Sequence, residues 1–441
     1  MILDIIIIMK HYLIIFAMLL LAAFSFAQEN ISSTGFETEY TIRDSVDNTG
    51  NLYISYWGQL PSVMTFVNSD GSVTVCSSDP AKTYIYEYSI NLEQKRTLTF
   101  ENEFNSLGAF TKDNEGNYYF FYARRAVNQN TENMAMVKYS PQGEKLNTYK
   151  LIAFALNSFG GIRIPFDAGT CRLELSGTIL AVYFAREMFN GHQASYGFIL
   201  NKDTFERIDI GQVRNDKMVL KGNNIVPYVS HSFNQFILPI ESGFVFADHG
   251  DAYPRCFTFA KFLNGSVTKT LNAFKFPGAT GANATYAEMG SLAKTSSGYI
   301  FCGAYGKDKN NSRNIFTMTF DEDLSKCSAP VYLTSYTKNE GHAGHPKLVE
   351  LEDGRYLLLW EFFSFSTQSA NTIGISRTDY LSTYMAVIDE QGSLHDDIHE
   401  LKGLRLNMND TLRYNRHNRK VYWAINDSAN SIKIYALTPI S

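Results

Sequence analysis

Cysteine is scarce in this chain. Its 441 residues hold five, Cys76, Cys171, Cys256, Cys302 and Cys327. An odd number at wide spacing excludes a small fold stapled by disulfides and leaves at least one thiol unpaired. Cys302 is expected in the core, while a Cys256–Cys327 or a Cys302–Cys327 bridge both stay open on spacing. Proline is scarce too, at 11, and no Pro/Ser-rich stretch or charge block interrupts residues 28–441, which argues against separate domains joined by linkers. Charge is nearly balanced, 39 Lys and Arg against 44 Asp and Glu for a net of −5, so there is no electrostatic reason to expect a nucleic-acid partner. Helix signals are nearly absent. So are a Gly-x-Ser-x-Gly elbow, a phosphate-cradling glycine loop and a His-Glu-x-x-His pair.

Long apolar runs are also missing, with one exception at the start. Met1–Ala27 places Lys10 ahead of an apolar stretch from Tyr12 to Phe26, and Ser25-Phe26-Ala27 offers small residues where a signal peptidase reads. No cysteine lies near that point, which argues against lipid modification. The segment predicts a signal peptide over 1–27 and a secreted or periplasmic protein, off the membrane after cleavage; an uncleaved anchor is the alternative. Residues 28–441 then form one domain.

Aromatic residues are abundant: 27 Tyr and 32 Phe help bring the aromatic share to 14%, suiting pleated, half-buried strands. They recur in a glycine-led phrase. It reads Gly50-Asn-Leu-Tyr-Ile-Ser-Tyr-Trp57, Gly116-Asn-Tyr-Tyr-Phe-Phe-Tyr122, Gly177-Thr-Ile-Leu-Ala-Val-Tyr-Phe184, Gly243-Phe-Val-Phe-Ala247, Gly298-Tyr-Ile-Phe-Cys302 and Gly354-Arg-Tyr-Leu-Leu-Leu-Trp360, with a last copy at Asn418–Ile425. Successive copies lie 66, 61, 66, 55, 56 and 64 residues apart. Further strands follow each copy, such as Met134–Tyr139 and Lys145–Thr148. A strand repeat of this period predicts an all-β fold, a β-propeller of seven blades, with six or eight as alternatives.

In such a ring the glycine strands end on one face. That rim is expected to collect Trp57, Gln59, Arg124, Arg125, Arg186, Glu187, Asp248, His249, Tyr305, Glu361, Asn426 and Asp427. Polar, histidine-bearing phrases sharpen the expectation: Gly191-His192-Gln193, Ser230-His231-Ser232-Phe233-Asn234-Gln235, Asp248-His249-Gly250-Asp251-Ala252-Tyr253-Pro254-Arg255, and Gly341-His342-Ala343-Gly344-His345-Pro346, the last read as a loop. His192 and His249 are expected to approach each other across neighbouring blades. Convergent loops of this kind are where propellers hold ligands. Histidines in polar loops are also commonly held by backbone hydrogen bonds, a purely structural role. No zinc-ligand spacing is matched, so neither metal nor cofactor is expected.

Ile162-Arg163-Ile164-Pro165 resembles the Arg-Ile-Pro phrase of sialidases, which are secreted propellers. Over these four residues, the resemblance implies an arginine, Arg163, that clamps a substrate carboxylate, with Arg186 and Arg255 as companions, Tyr253 as nucleophile and Glu187 or Asp251 nearby. Ala185-Arg186-Glu187-Met188, with the Ser230 and Asp248 phrases, is similar to stretches of secreted propeller proteins of unassigned function; that likeness implies no activity. The residues together predict a monomer that binds an extracellular glycan or surface polymer through Arg186, Glu187, His192, His231, Asp248, His249, Asp251, Tyr253, Arg255, His342 and His345. Tyr253 or Trp360 would be the stacking platform. An extracellular hydrolase or lyase using His231, His249, Glu187 and Tyr253 is the alternative, and a protein-interaction scaffold is a third.

Overall fold

In the computed structural model, seven antiparallel sheets of four strands each account for all the strands among the described residues. The structure describes residues 31–37, 60, 63–154, 160–167, 169–208, 228–282, 284–365, 380–407, 409–428 and 431–439. After β1 (Ile31–Glu37) the chain builds a first sheet from β2 (Val63–Val67), β3 (Val73–Ser78), β4 (Lys82–Tyr88) and β5 (Gln94–Glu101). A second follows from β6 (Ser106–Lys112), β7 (Tyr118–Ala123), β8 (Glu132–Tyr139) and β9 (Lys145–Ile152). The third comprises β10 (Ile164–Pro165), β11 (Cys171–Ser176), β12 (Ile179–Glu187) and β13 (Gln193–Asn201), with β10 on the same edge of β12 as β11. The fourth is β14 (Ser232–Ile240), β15 (Gly243–Asp251), β16 (Arg255–Leu263) and β17 (Ser266–Lys275). The fifth is β18 (Ala287–Lys294), β19 (Gly298–Tyr305), β20 (Asn314–Asp321) and β21 (Val331–Tyr332). The sixth is β22 (His342–Glu350), β23 (Tyr356–Phe363), β24 (Tyr380–Ile388) and β25 (His399–Leu401). The seventh joins β26 (Arg413–Asn415), β27 (Lys420–Ser428) and β28 (Ser431–Leu437) to β1, so both ends of the chain share one sheet.

The innermost strands β2, β6, β11, β14, β18, β22 and β26 touch one another in that order, and β26 returns to β2. They enclose a central channel. The fold is a seven-bladed β-propeller, as the repeat predicts.

Packing explains why the repeat is aromatic rather than alternating. Tyr118, Phe120 and Tyr122 of β7 face the first blade, and Tyr119, Phe121 and Ala123 face the third, so every position is buried. In β23, Tyr356, Leu358 and Trp360 face the fifth blade while Leu357 and Leu359 face the seventh. Seven hydrophobic clusters result, one between each pair of neighbouring blades. The leading glycines serve the turn and the tight spacing. Gly116 sits at φ +85°, where a side chain is disfavoured, and a Cβ on Gly243 would collide with the Phe262 carbonyl.

The glycine phrases form the second strand of blades two to seven. The first copy, Gly50–Trp57, lies outside the described residues, as does Gln59. In the first blade the second strand is β3, led by Gly71 and free of aromatics.

Candidate ligand-binding face

The upper face is where each second strand ends and the third begins. The Ser230–Gln235 and Asp248–Arg255 phrases meet here because β14 and β15 are antiparallel, pairing Ser232 with Gly250 and Gln235 with Asp248 around a bulge. Both phrases therefore lie at one end of the blade. The His231 amide donates to the Gln193 carbonyl (2.9 Å), and Ala194 bridges to Ser230, so the third blade is stitched to the fourth.

His231 and Asp251 are the centre of this junction. Nδ1 of His231 lies 3.1 Å from Asp251 Oδ1, at ion-pair distance but without the alignment of a hydrogen bond. Asp251 is fully buried, whereas the His231 side chain is 26% exposed. His231 also holds a left-handed backbone, φ 51°, uncommon outside glycine. Arg255 stands 3.7 Å from the other carboxylate oxygen and donates to the carbonyls of Pro277 (3.0 Å) and Ala284 (2.7 Å), tying down the adjoining loop. His192 stacks at a tilt on His231, ring centres 5.1 Å apart, with its Nε2 3.0 Å from Ser230 Oγ. Burial first, then His231 and Arg186, holds His192 below the ordinary histidine value, favouring the neutral ring. Tyr253, whose carbonyl accepts from the Ser230 amide (3.1 Å), leaves its side chain in solvent. Glu187 pairs with Arg163 at 2.7 Å.

Other expected surface groups are interior. Arg186 is 1% exposed, donating to the Gly161 carbonyl (2.7 Å) with its guanidinium over the Tyr196 ring. Asp248 accepts from Tyr183 Oη (2.6 Å) and Ser232 Oγ (2.7 Å), and burial raises its carboxyl to about 7. His249 lies edge-on among Phe233, Phe257 and Phe276 and bonds Thr285 Oγ1 at 2.8 Å. Burial, reinforced by Arg255, lowers it to about 3, and its neighbours replace the expected approach to His192. Trp360 is fully buried and offers no stacking platform. Extended pairing carries β15 through to Asp251, so Asp248 and His249 belong to a strand packed between blades rather than to its free end.

His342 and His345 are not in a loop. They begin β22, an inner strand, where a bulge between Gly344 and Lys347 re-aims His345. Nδ1 of His345 is 2.6 Å from Glu361 Oε2, and Glu361 also accepts from Arg405 Nε (2.6 Å) and the Leu406 amide (2.9 Å). Against the cost of burial, His345 and Arg405 hold Glu361 down to about 2. Glu288 Oε1 accepts from the His345 amide (3.0 Å), and Arg313 lies 3.6 Å from Glu288 Oε2. His342 packs against Phe363 and Phe365 with neither ring nitrogen hydrogen-bonded; burial, with Arg313 and His345 nearby, lowers it to about 2. Arg405, Arg313 and Glu288 fall outside the repeat phrases, so nothing in the glycine pattern points to them.

Among the described residues no three His, Cys, Asp or Glu side chains converge as metal ligands. All five cysteines are free thiols, four of them buried, and neither candidate bridge forms.

No protein-family pattern matches the chain, and no curated protein does. Solved structures similar to it include an oligogalacturonate lyase in complex with manganese, at 9% identity and TM-score 0.46 over 93% of this chain and 96% of that one. Drosophila Plexin A in complex with Semaphorin 1b aligns at 10% identity and TM-score 0.43 over 91% and 88%. An endo-arabinase from Bacteroides thetaiotaomicron aligns at 10% and 0.35 over 87% and 95%. What those proteins bind or cleave belongs to them. No helix among the described residues is long and apolar enough to cross a membrane.

Proposed function

We propose that this propeller is an exported, monomeric protein that binds a carbohydrate or hydroxyl-rich surface polymer on its upper face, at the junction of blades three and four. The observation that carries this reading is the exposed Tyr253 ring, 72% accessible, beside a His231–Asp251 pair whose groups are already fixed in place. A large aromatic face suits the C–H surface of a sugar, and neighbouring anchored donors and acceptors suit its hydroxyls. Fixing those groups beforehand lowers the entropy cost of binding. His192, held by the buried Ser230, and the Arg163–Glu187 pair extend the same polar surface across the blade boundary.

A glycan array probed with the purified protein tests this. One class of glycan should bind, with Tyr253→Ala about tenfold weaker and His231→Gln also weakened, both folding normally. A folded protein that binds no glycan would sink the reading. The Ser230–His192 contact supports a hydrolase as the second reading, a neutral imidazole being placed to accept a hydroxyl proton. Product release from the bound glycan, lost in Ser230→Ala, would decide for it.

A further inference from the structure

On the upper face of blades one and two, the turn between β3 and β4, the link from β5 to β6 and the end of β7 surround a groove of about 580 Å³. That volume is in the range of organic-ligand sites. Its wall includes Pro80, Ala81, Glu101, Glu103, Asn105 and Arg124. Both carboxylates of the wall are already answered by lysines. Glu101 stands 3.7 Å from Lys82, and Glu103 lies between Lys145 (2.5 Å) and Lys150 (2.7 Å). Hydrogen bonds from those two lysines hold Glu103 below the ordinary carboxylate range, so it stays charged and paired.

Arg124 is different. Its guanidinium lies over the buried Phe104 ring, 4.6 Å from the ring centre, and its Nε donates to the Glu132 carbonyl at 2.9 Å. These contacts fix the plane of the group, and both partners are uncharged. Among the described residues Arg124 forms no ion pair, and the neighbouring Lys150 repels it. The result is an exposed, pre-aimed fork whose positive charge is unanswered. A planar guanidinium matches a carboxylate through two parallel hydrogen bonds. One such fork, among carboxylates already paired, suits a single negative charge better than the double charge of a phosphate.

The backbone of the wall is spent. The Ala81 amide donates to Asp79 Oδ1 (2.7 Å) and the Asn102 amide to the Ala81 carbonyl (2.8 Å), so these groups offer no ladder to an extended peptide. Asn105 is exposed and presents a carboxamide donor and acceptor, while Pro80 and Ala81, also exposed, offer contact to C–H groups. We infer that this groove is a second binding site, for the carboxylate of an acidic saccharide of the uronate class. Arg124 takes the carboxylate and Asn105 meets the hydroxyls. The site lies on blades one and two and does not depend on the Tyr253 surface of blades three and four.

Calorimetric titration of the full chain with a mannuronate trimer, at low salt and about pH 7 where its carboxylates are charged, tests the inference. The trimer should bind, and its methyl ester, which keeps the hydroxyls and loses the charge, should bind at least about tenfold more weakly. Arg124→Gln should weaken the trimer by a similar factor with the thermal midpoint unchanged. Arg124→Lys should restore only part of the loss, because a point charge replaces the fork, and Tyr253→Ala should leave binding as it is. Absence of binding overturns the inference, as does an ester that binds equally well or an Arg124→Gln variant that binds like the wild type. A hexaglutamate peptide that binds as tightly as the trimer overturns the saccharide assignment. Binding lost in Tyr253→Ala and kept in Arg124→Gln overturns it too, by placing the sugar on blades three and four.

Discussion

Two histidine clusters on the upper face use similar residues to opposite ends. In the junction of blades three and four, His192 and His231 stand at the edge of solvent over a buried carboxylate. At the start of β22, His342 and His345 are sealed in with Glu361, Glu288 and Arg313. The difference is depth: His192 and His231 stand just before β13 and β14, outside the ladders, whereas His342 and His345 are part of the inner strand β22. A ring at the edge can exchange a hydrogen bond with a ligand, whereas a sealed ring can only hold the fold together.

The comparison breaks if sealed groups prove dispensable for stability. Glu361→Ala should have the largest effect, about 3–5 kcal/mol lost in denaturant unfolding, since it strands the buried His345 and takes the partner from the half-buried Arg405. A loss below about 1 kcal/mol would show that water enters the cluster and that depth is not the divide. Asp248→Asn sharpens the contrast within one strand, because Asp248 is sealed and Asp251 meets His231. The carboxyl of Asp248 sits at about 7 when folded against an ordinary 3.8, so the native state keeps its proton longer than the unfolded chain. Its contribution to stability is full below the ordinary value and is lost as pH rises through the folded one. Relative to the wild type, the variant should gain about 2–3 kcal/mol between about pH 5 and pH 8, read from urea midpoints. A pH-independent difference would mean that Asp248 is hydrated. His342 has the reverse sign: lowered to about 2 from 6.5, it stabilises the fold above the ordinary value and costs stability as pH falls toward the folded one. His342→Phe should recover about 2 kcal/mol at about pH 5 and less near neutrality. Thermal unfolding at the two pH values would show it, and an acid limb unchanged by the substitution would count against a sealed, neutral ring.

The second strands were legible because glycine at the turn and aromatics on both faces leave a strong mark. Where the ring needs no aromatic, as in Val73–Ser78, the mark disappears, and the first blade's second strand goes unread. Inner strands are harder still. Gly341-His-Ala-Gly-His-Pro346 has the composition of a loop, yet all but Gly341 belong to a bulged strand whose partner, β23, supplies the burial. The gathering of His231, Asp251, Tyr253 and Arg255 could be read from their closeness in sequence, and His192 joins them from the neighbouring blade. The burial of Arg186, Asp248 and His249 could not. It depends on blades three to five closing over them, which no single phrase records.

The seventh sheet has a mechanical consequence. Ile31 is paired with Leu437 and Glu37 with Ser431, so the outer ends of β1 and β28 leave the ladder side by side. Tension that draws those two ends apart loads the hydrogen bonds one at a time and peels the strands like a zip, instead of shearing the whole ladder at once. If this chain is tethered by one end while its ligand pulls elsewhere, the ring keeps its clasp. A pull on both ends opens the clasp first, with the other six blades still intact.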